Sequence, residues 1–156
     1  DVRDWLYSLD SARLCPLMCD LQAEIETWGV EDRVKLLGRI PDGDLPAYYG
    51  ACDVFCLSSV QRTEAFGIVQ IEAMSCGKPV VATRIPHSGT SWVNGHGMSG
   101  LNVAPEDAKA LAEAVMEIAG DGQVYGRFAA GAGERYRELF TKERMIDNVI
   151  DIYTKL

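Results

Sequence analysis

Two carboxylates around a glycine turn carry the chemistry that this sequence offers: Glu64 and Glu72 lie eight positions apart, on either side of Phe66-Gly67, in the run Thr63 to Cys76. A helix that begins after such a turn leaves its first amides without intrahelical acceptors, and the field at that end attracts anions. The amides of Phe66, Gly67, Ile68 and Val69 are therefore candidates to hold a diphosphate, and Gly67 has no Cβ to obstruct its approach. Glu72 sits on a stretch that is otherwise apolar (Ile68, Val69, Ile71, Ala73), and an acceptor-only group there suits paired ribose hydroxyls. Glu64 precedes the helix, where it can cap the first turn or touch a sugar hydroxyl. Spacing alone equally admits Gly67 as a plain joint between loop and helix, and both glutamates as solvated surface charges.

These residues need a frame. Val54 to Leu57 reads as a nearly continuous apolar strand of the kind covered on both faces in a parallel sheet. The loop Ser58 to Phe66 leaves its carboxyl end, the side on which open α/β sheets bind ligands. The helix from Gly67 to Cys76 is expected to bury Ile68, Ile71 and Met74 or Ser75, and Val80 to Ala82 is the next strand. Upstream, Leu17, Leu21, Ile25 and Trp28 fall at helical spacing with Gly29 as a stop. Val34 to Leu37 reads as a short strand ended by Gly38, and Leu45, Tyr48 and Tyr49 suggest a short helix. Downstream, Arg84 to Gly100 reads as a long functional loop or a poorly regular crossover. Leu101 to Val103 reads as a strand, and three helices follow, from about Ala108, Gln123 and Lys142, the last capped by Thr141. Short strands alternating with longer helices define an α/β class with a mainly parallel sheet.

Composition narrows the function classes. The chain has 156 residues, 47% of them hydrophobic, enough for one compact domain. A formal charge of -8 argues against a nucleic-acid partner, while backbone amides can still bind a small phosphorylated ligand. The five cysteines (Cys15, Cys19, Cys52, Cys56, Cys76) form no CxxC pair and read as reduced and structural, with Cys52 and Cys56 at or in a buried strand. His87 and His96 are too irregularly placed to indicate a metal, and Trp92 is expected to anchor its loop in the core. Without an apolar run of 18 residues or a leader-like segment, the sequence reads as a soluble, cytosolic domain, and its start inside a charged segment reads as a fragment of a longer protein.

Taken together, the motifs resemble retaining glycosyltransferases of the GT-B type, the group 1 or family 4 enzymes. Glu64, seven residues and Glu72 match the EX7E motif. Around it stand Asp32-Arg33-Val34 with Leu37-Gly38, Tyr49-Gly50-Ala51-Cys52-Asp53-Val54, Ser58, Glu72-Ala73-Met74, Gly77-Lys78-Pro79-Val80-Val81-Ala82-Thr83, and Gly100-Leu101-Asn102-Val103 before Pro105-Glu106-Asp107. The ordered set covers about residues 17 to 155. The stretch Pro86 to Gly97 resembles the form found in capsule, O-antigen or exopolysaccharide transferases of bacteria.

The resemblance implies a Rossmann-like parallel sheet flanked by helices, one half of a GT-B enzyme, with residues 1–156 as its nucleotide-sugar-binding domain. It implies that Glu64 contacts the donor sugar without acting as a nucleophile, that Phe66, Gly67, Ile68 and Val69 hold the diphosphate, and that Glu72 binds ribose. It places Gly38, Arg39 and Ile40 near the base and Ser58 in the donor site. The substrate would be a UDP- or GDP-linked sugar, with no metal and no other cofactor. The Arg and Lys that such enzymes carry in the first loops of this domain have no match before Asp32, which reads as truncation at the N-terminus. The acceptor-binding domain would then lie outside this sequence, and the isolated piece would be inactive. The intact enzyme would be cytoplasmic, with a lipid-linked acceptor drawing it to the inner face of the membrane. A non-catalytic nucleotide-sugar-binding domain and a sugar-nucleotide epimerase of related architecture are the alternative readings.

Overall fold

The structure, a computed structural model, describes residues 17–155. The chain divides into two compact units, Asp1–Asp42 and Gly43–Leu156. In the first, a helix (α1) runs over residues 17–28. It ends where the spacing predicts, at Gly29 with φ +62°. The Gly29 amide bonds to Glu26 O and the Val30 amide to Ile25 O, the paired bonds that close a left-handed helix terminus. The expected strand Val34 to Leu37 does not form: the segment has no strand geometry. Strand character needs a neighbouring ladder, and none joins it among the described residues; Val34 and Leu37 remain 44% and 55% exposed.

The second unit holds a three-stranded parallel sheet in the order β1-β2-β3, made of Phe55–Leu57, Val80–Thr83 and Gly100–Val103. Phe55 pairs with Val80, and Val80 in turn with Gly100. Helices connect and flank the strands: α2 (Leu45–Ala51), α3 (Ile68–Ser75), α4 (Thr90–Val93), α5 (Ala108–Ala119), α6 (Gly122–Arg135) and α7 (Lys142–Thr154). Between the last two, Tyr136–Phe140 widens into a π-helical turn. This is a parallel sheet flanked by helices, as expected for one half of a GT-B fold.

Central strand β2 is buried at all four positions and divides the core by its two-residue period. Val80 and Ala82 pack with Met74, Val93 and Ala132 on one face, while Val81 packs with Ala114, Ile118 and Phe128 on the other. Helix α6 contributes to both clusters. The edge position of β1 among the described strands corrects one expectation: Cys56 is exposed, so this strand is not covered on both faces. Side chains cap the long helices as their sequences suggest. Asp107 accepts from the Ala110 amide, and Thr141 accepts from Arg144.

Helix α3 buries Met74 and packs Ile71 on the core as expected, but it leaves Ile68 outside. Its buried residues are Gln70, Ala73 and Met74, whereas Ile68 is 64% exposed and Ile71 partly buried. Ile68 is the first helical residue, and the left-handed turn before it sets a rotation in which positions 70, 73 and 74 meet the sheet.

Candidate functional site

The turn at the head of α3 is built around Gly67, at φ +77° and ψ 57°. A Cβ at this position would lie 2.4 Å from Nε2 of Gln70 and 3.1 Å from Cδ2 of Leu57, so conformation and space both demand glycine. No side chain caps this helix; the Glu64 carboxylate does not take that role. Among the described residues, the amides of Phe66, Gly67, Ile68 and Val69 find no backbone acceptor. Four donors at one helix start, contributed by contiguous residues, are an arrangement suited to phosphate oxygens.

The backbone that leads into this turn is held from the far side by the segment after β2. Ser88 Oγ donates to Glu64 O at 2.6 Å and lies 3.3 Å from Ala65 O. The Gly89 amide donates to Ala65 O at 2.7 Å. The Thr90 amide donates back to Ser88 Oγ, which fixes the hydroxyl. Gly89 is required here, because a Cβ would approach Phe66 Cδ2 to 2.9 Å. Gln70, fully buried beneath the turn, donates from Nε2 to Thr90 O at 3.3 Å, and its Oε1 has no partner. The start of the same loop is tied down by Thr83 Oγ1, which donates to Ser59 O.

A buried polar network sets the segment that provides these clamps. Asn94 Nδ2 lies within 3.1 Å of Val80 O, Leu101 O and Asn102 Oδ1, and Ser99 Oγ donates to Asn94 Oδ1. Asn102 Nδ2 bonds to Ser91 O and Asn94 O, and the Asn102 amide donates to His96 Nδ1. His96 thus serves the backbone. Among the described residues, no cluster of His, Cys, Asp and Glu could hold a metal.

Glu72 lies one helical turn beyond the free amides, partly buried. Its Oε2 accepts a 2.7 Å hydrogen bond from the phenol of Tyr49 on α2. Burial, and next the bond to Glu72, push the Tyr49 phenol above the ordinary tyrosine range. The ring of Tyr49 stands edge-on to Phe55 of β1, with centroids 5.7 Å apart. Cys52, near the end of α2, has its thiol pushed up by burial, which Lys78 partly opposes.

Ser58 lines a cavity of about 200 Å³ with Thr83, Ala104, Glu106 and Asp107, past the carboxyl ends of all three strands. Gly38, Arg39 and Ile40 belong to the first unit, where they line a cavity of about 550 Å³ with Met18 and residues 35–37. Trp92 departs from its expected role as a core anchor. It is 56% exposed, lies 6.0 Å from the Phe66 ring and 5.6 Å from Phe140, and Arg135 donates to the carbonyls of Trp92 and Val93. The same four-residue helix buries Thr90 and Val93, and this leaves position 92 on its outward side.

Sequence reasoning identified the glutamates and the amides but missed Tyr49, Ser88 and Gln70. Gln70 carried a readable signal: a lone amide on the helix register that holds Ala73 and Met74 must find a buried partner. Ser88 and Tyr49 act across 24 and 23 residues of sequence, a separation that periodicity does not reach.

Comparison with known proteins assigns this open parallel sheet, with its glycine turn, to a glycosyltransferase domain of the GT-B type. The profile described as "Glycosyl transferases group 1" matches residues 19–135, and the chain belongs to that family. The chain is 30% identical over 141 residues to the O-antigen chain mannosyltransferase C of Escherichia coli, covering 90% of this chain and 38% of that protein. It is 35% identical over 126 residues to the D-rhamnosyltransferase WbpZ of Pseudomonas aeruginosa, covering 81% and 32%. The crystal structure of Anabaena Alr3699/HepE in complex with UDP superposes with a TM-score of 0.80 at 30% identity, covering 89% of this chain and 37% of that one. The chain therefore spans about a third of the length of these relatives.

Proposed function

We propose that this chain is the C-terminal, donor-binding half of a retaining family 4 glycosyltransferase, with residues 1–156 forming its nucleotide-sugar-binding domain. The observation that carries the reading is the turn at the head of α3: four free amides at Phe66 to Val69, clamped from Ser88 and Gly89, between Glu64 and Glu72. In this reading the amides bind the diphosphate leaving group, which makes it a weaker nucleophile and eases departure from the sugar. Glu64 contacts the donor sugar, and Glu72 accepts from the ribose hydroxyls. The family resemblance assigns Gly38, Arg39 and Ile40 to the base and Ser58 to the donor site. The solved Anabaena relatives bound to UDP and to UDP-glucose support a nucleoside-diphosphate sugar as the substrate.

The whole enzyme would transfer a glycosyl group, with retention of configuration, to a saccharide or lipid-linked acceptor in polysaccharide biosynthesis. The O-antigen chain mannosyltransferase relative supports that pathway class. The acceptor-binding half would lie in sequence beyond these residues, in keeping with the greater length of the relatives. No helix among the described residues is long and apolar enough to cross a membrane; we place the enzyme in the cytoplasm, peripheral to the membrane where its acceptor is lipid-linked.

Calorimetric titration with UDP, GDP and ADP tests the reading, with Glu72→Ala beside the parent. Saturable binding of one diphosphate, weakened by about 1–3 kcal/mol when the charged acceptor is removed, is the expected result. Absence of binding to all three, or a Glu72→Ala variant that binds as the parent does, overturns it.

A further inference from the structure

The Glu72 carboxylate is not free to choose its direction. Its Oε2 accepts the Tyr49 phenol at 2.7 Å, the usual length of an O–H···O bond, and Oε1 takes no hydrogen bond from the described residues. The phenol itself is fixed, because its ring is partly buried and stands edge-on to Phe55 of the sheet. A glutamate on an exposed helix would sacrifice about 1–2 kcal/mol of side-chain freedom on gripping a ligand. A carboxylate already held has met that cost on folding.

We propose that Tyr49 is the positioning residue of the ribose subsite: its phenol holds Oε2 of Glu72 so that Oε1 is presented, in one orientation, to the vicinal hydroxyls of a nucleoside diphosphate. This rests on the assignment of Glu72 to ribose. The phenol's raised affinity for its proton supports it, since the group stays a donor across the neutral and mildly alkaline range. Selectivity for ribose over deoxyribose would then depend on two residues 23 positions apart, only one of them in the EX7E motif.

The test compares wild type, Tyr49→Phe and Glu72→Gln by calorimetry, using the diphosphate, UDP or GDP, that the first titration selects and its 2′,3′-dideoxy analogue. Tyr49→Phe keeps the ring against Phe55 and removes only the donor. It is expected to weaken the ribonucleotide about fivefold, the worth of one hydrogen bond, and to leave the dideoxy analogue within about twofold. A merely structural role would weaken both ligands alike, and that outcome overturns the proposal. If Glu72→Gln loses discrimination while Tyr49→Phe keeps it, the ribose assignment stands and the role of Tyr49 falls. If Glu72→Gln discriminates as wild type does, or if neither diphosphate binds wild type, the ribose assignment fails and takes the proposal with it.

Discussion

Gly67→Ala tests whether the turn at the head of α3 is fixed by steric necessity. Two costs can be worked from the structure. At φ +77° an L-residue loses about 1–2 kcal/mol relative to glycine. The new methyl would also lie 2.4 Å from Gln70 Nε2 and 3.1 Å from Leu57 Cδ2. Gln70 is fully buried, so its amide cannot swing into solvent, and shifting it gives up the bond to Thr90 O, worth about 1 kcal/mol. The sum is about 2–3 kcal/mol. Urea unfolding followed by far-ultraviolet circular dichroism measures it, with Gly126→Ala as the control. Gly126 is an interior residue of α6 with open space around its Cα and no positive φ, so alanine there gains about 0.5–1 kcal/mol. The substitution at Gly67 should also abolish diphosphate binding, because relief of the clash must move the amides. A Gly67→Ala protein as stable as wild type, with binding intact, would refute the argument that this backbone conformation defines the site.

Three further outcomes follow from the same geometry. Ser88→Ala removes the donor to Glu64 O and the acceptor of the Thr90 amide; it should cost about 1 kcal/mol in urea unfolding and weaken diphosphate binding more than Thr141→Ala, a cap remote in sequence from the turn. Asn94→Ala strips donors from Val80 O, Leu101 O and Asn102 and leaves Ser99 Oγ only its long bond to Gly95 O. A loss of about 2–4 kcal/mol is expected by thermal or urea unfolding, and a loss under 1 kcal/mol would contradict the network. The third concerns pH. Tyr49 is raised above its unfolded value by burial and by Glu72, with Cys52 and Cys76 adding to it, so the folded state holds the phenolic proton more tightly. This contribution is complete below about pH 10 and is lost as pH rises beyond it, because the unfolded chain gives up the proton first. Stability measured from pH 9 to 11.5 should fall more steeply for wild type than for Tyr49→Phe; equal slopes would remove the tyrosine from the account.

Much of the fold could be read locally, for reasons that particular elements show. Helix α1 ends at Gly29 and α3 at Gly77 because each glycine takes a left-handed φ that closes a helix. Strands β2 and β3 were legible because short apolar runs bounded by glycine and proline fit a sheet interior. Val34 to Leu37 shows the limit, since its apolar pattern suits a strand but pattern supplies no neighbour. Ile68 shows another: its spacing matches Ile71 and Met74, which pack inward, yet as the first residue of the helix it stays 64% exposed.

The sequence by itself determined the class of the molecule and the address of the site proposed for it. Glycine at 67, the carboxylates at 64 and 72 and the run from Gly77 to Thr83 are local facts, and local chemistry suffices to make a helix start that attracts anions. Only the tertiary structure decided what holds that site in place. Ser88 reaches the Glu64 carbonyl, Gln70 reaches the Thr90 carbonyl, and Tyr49 takes one oxygen of Glu72. Each of these contacts joins segments whose meeting depends on strand order and parallel register, and a periodic reading of one segment contains no information about its neighbour across the sheet.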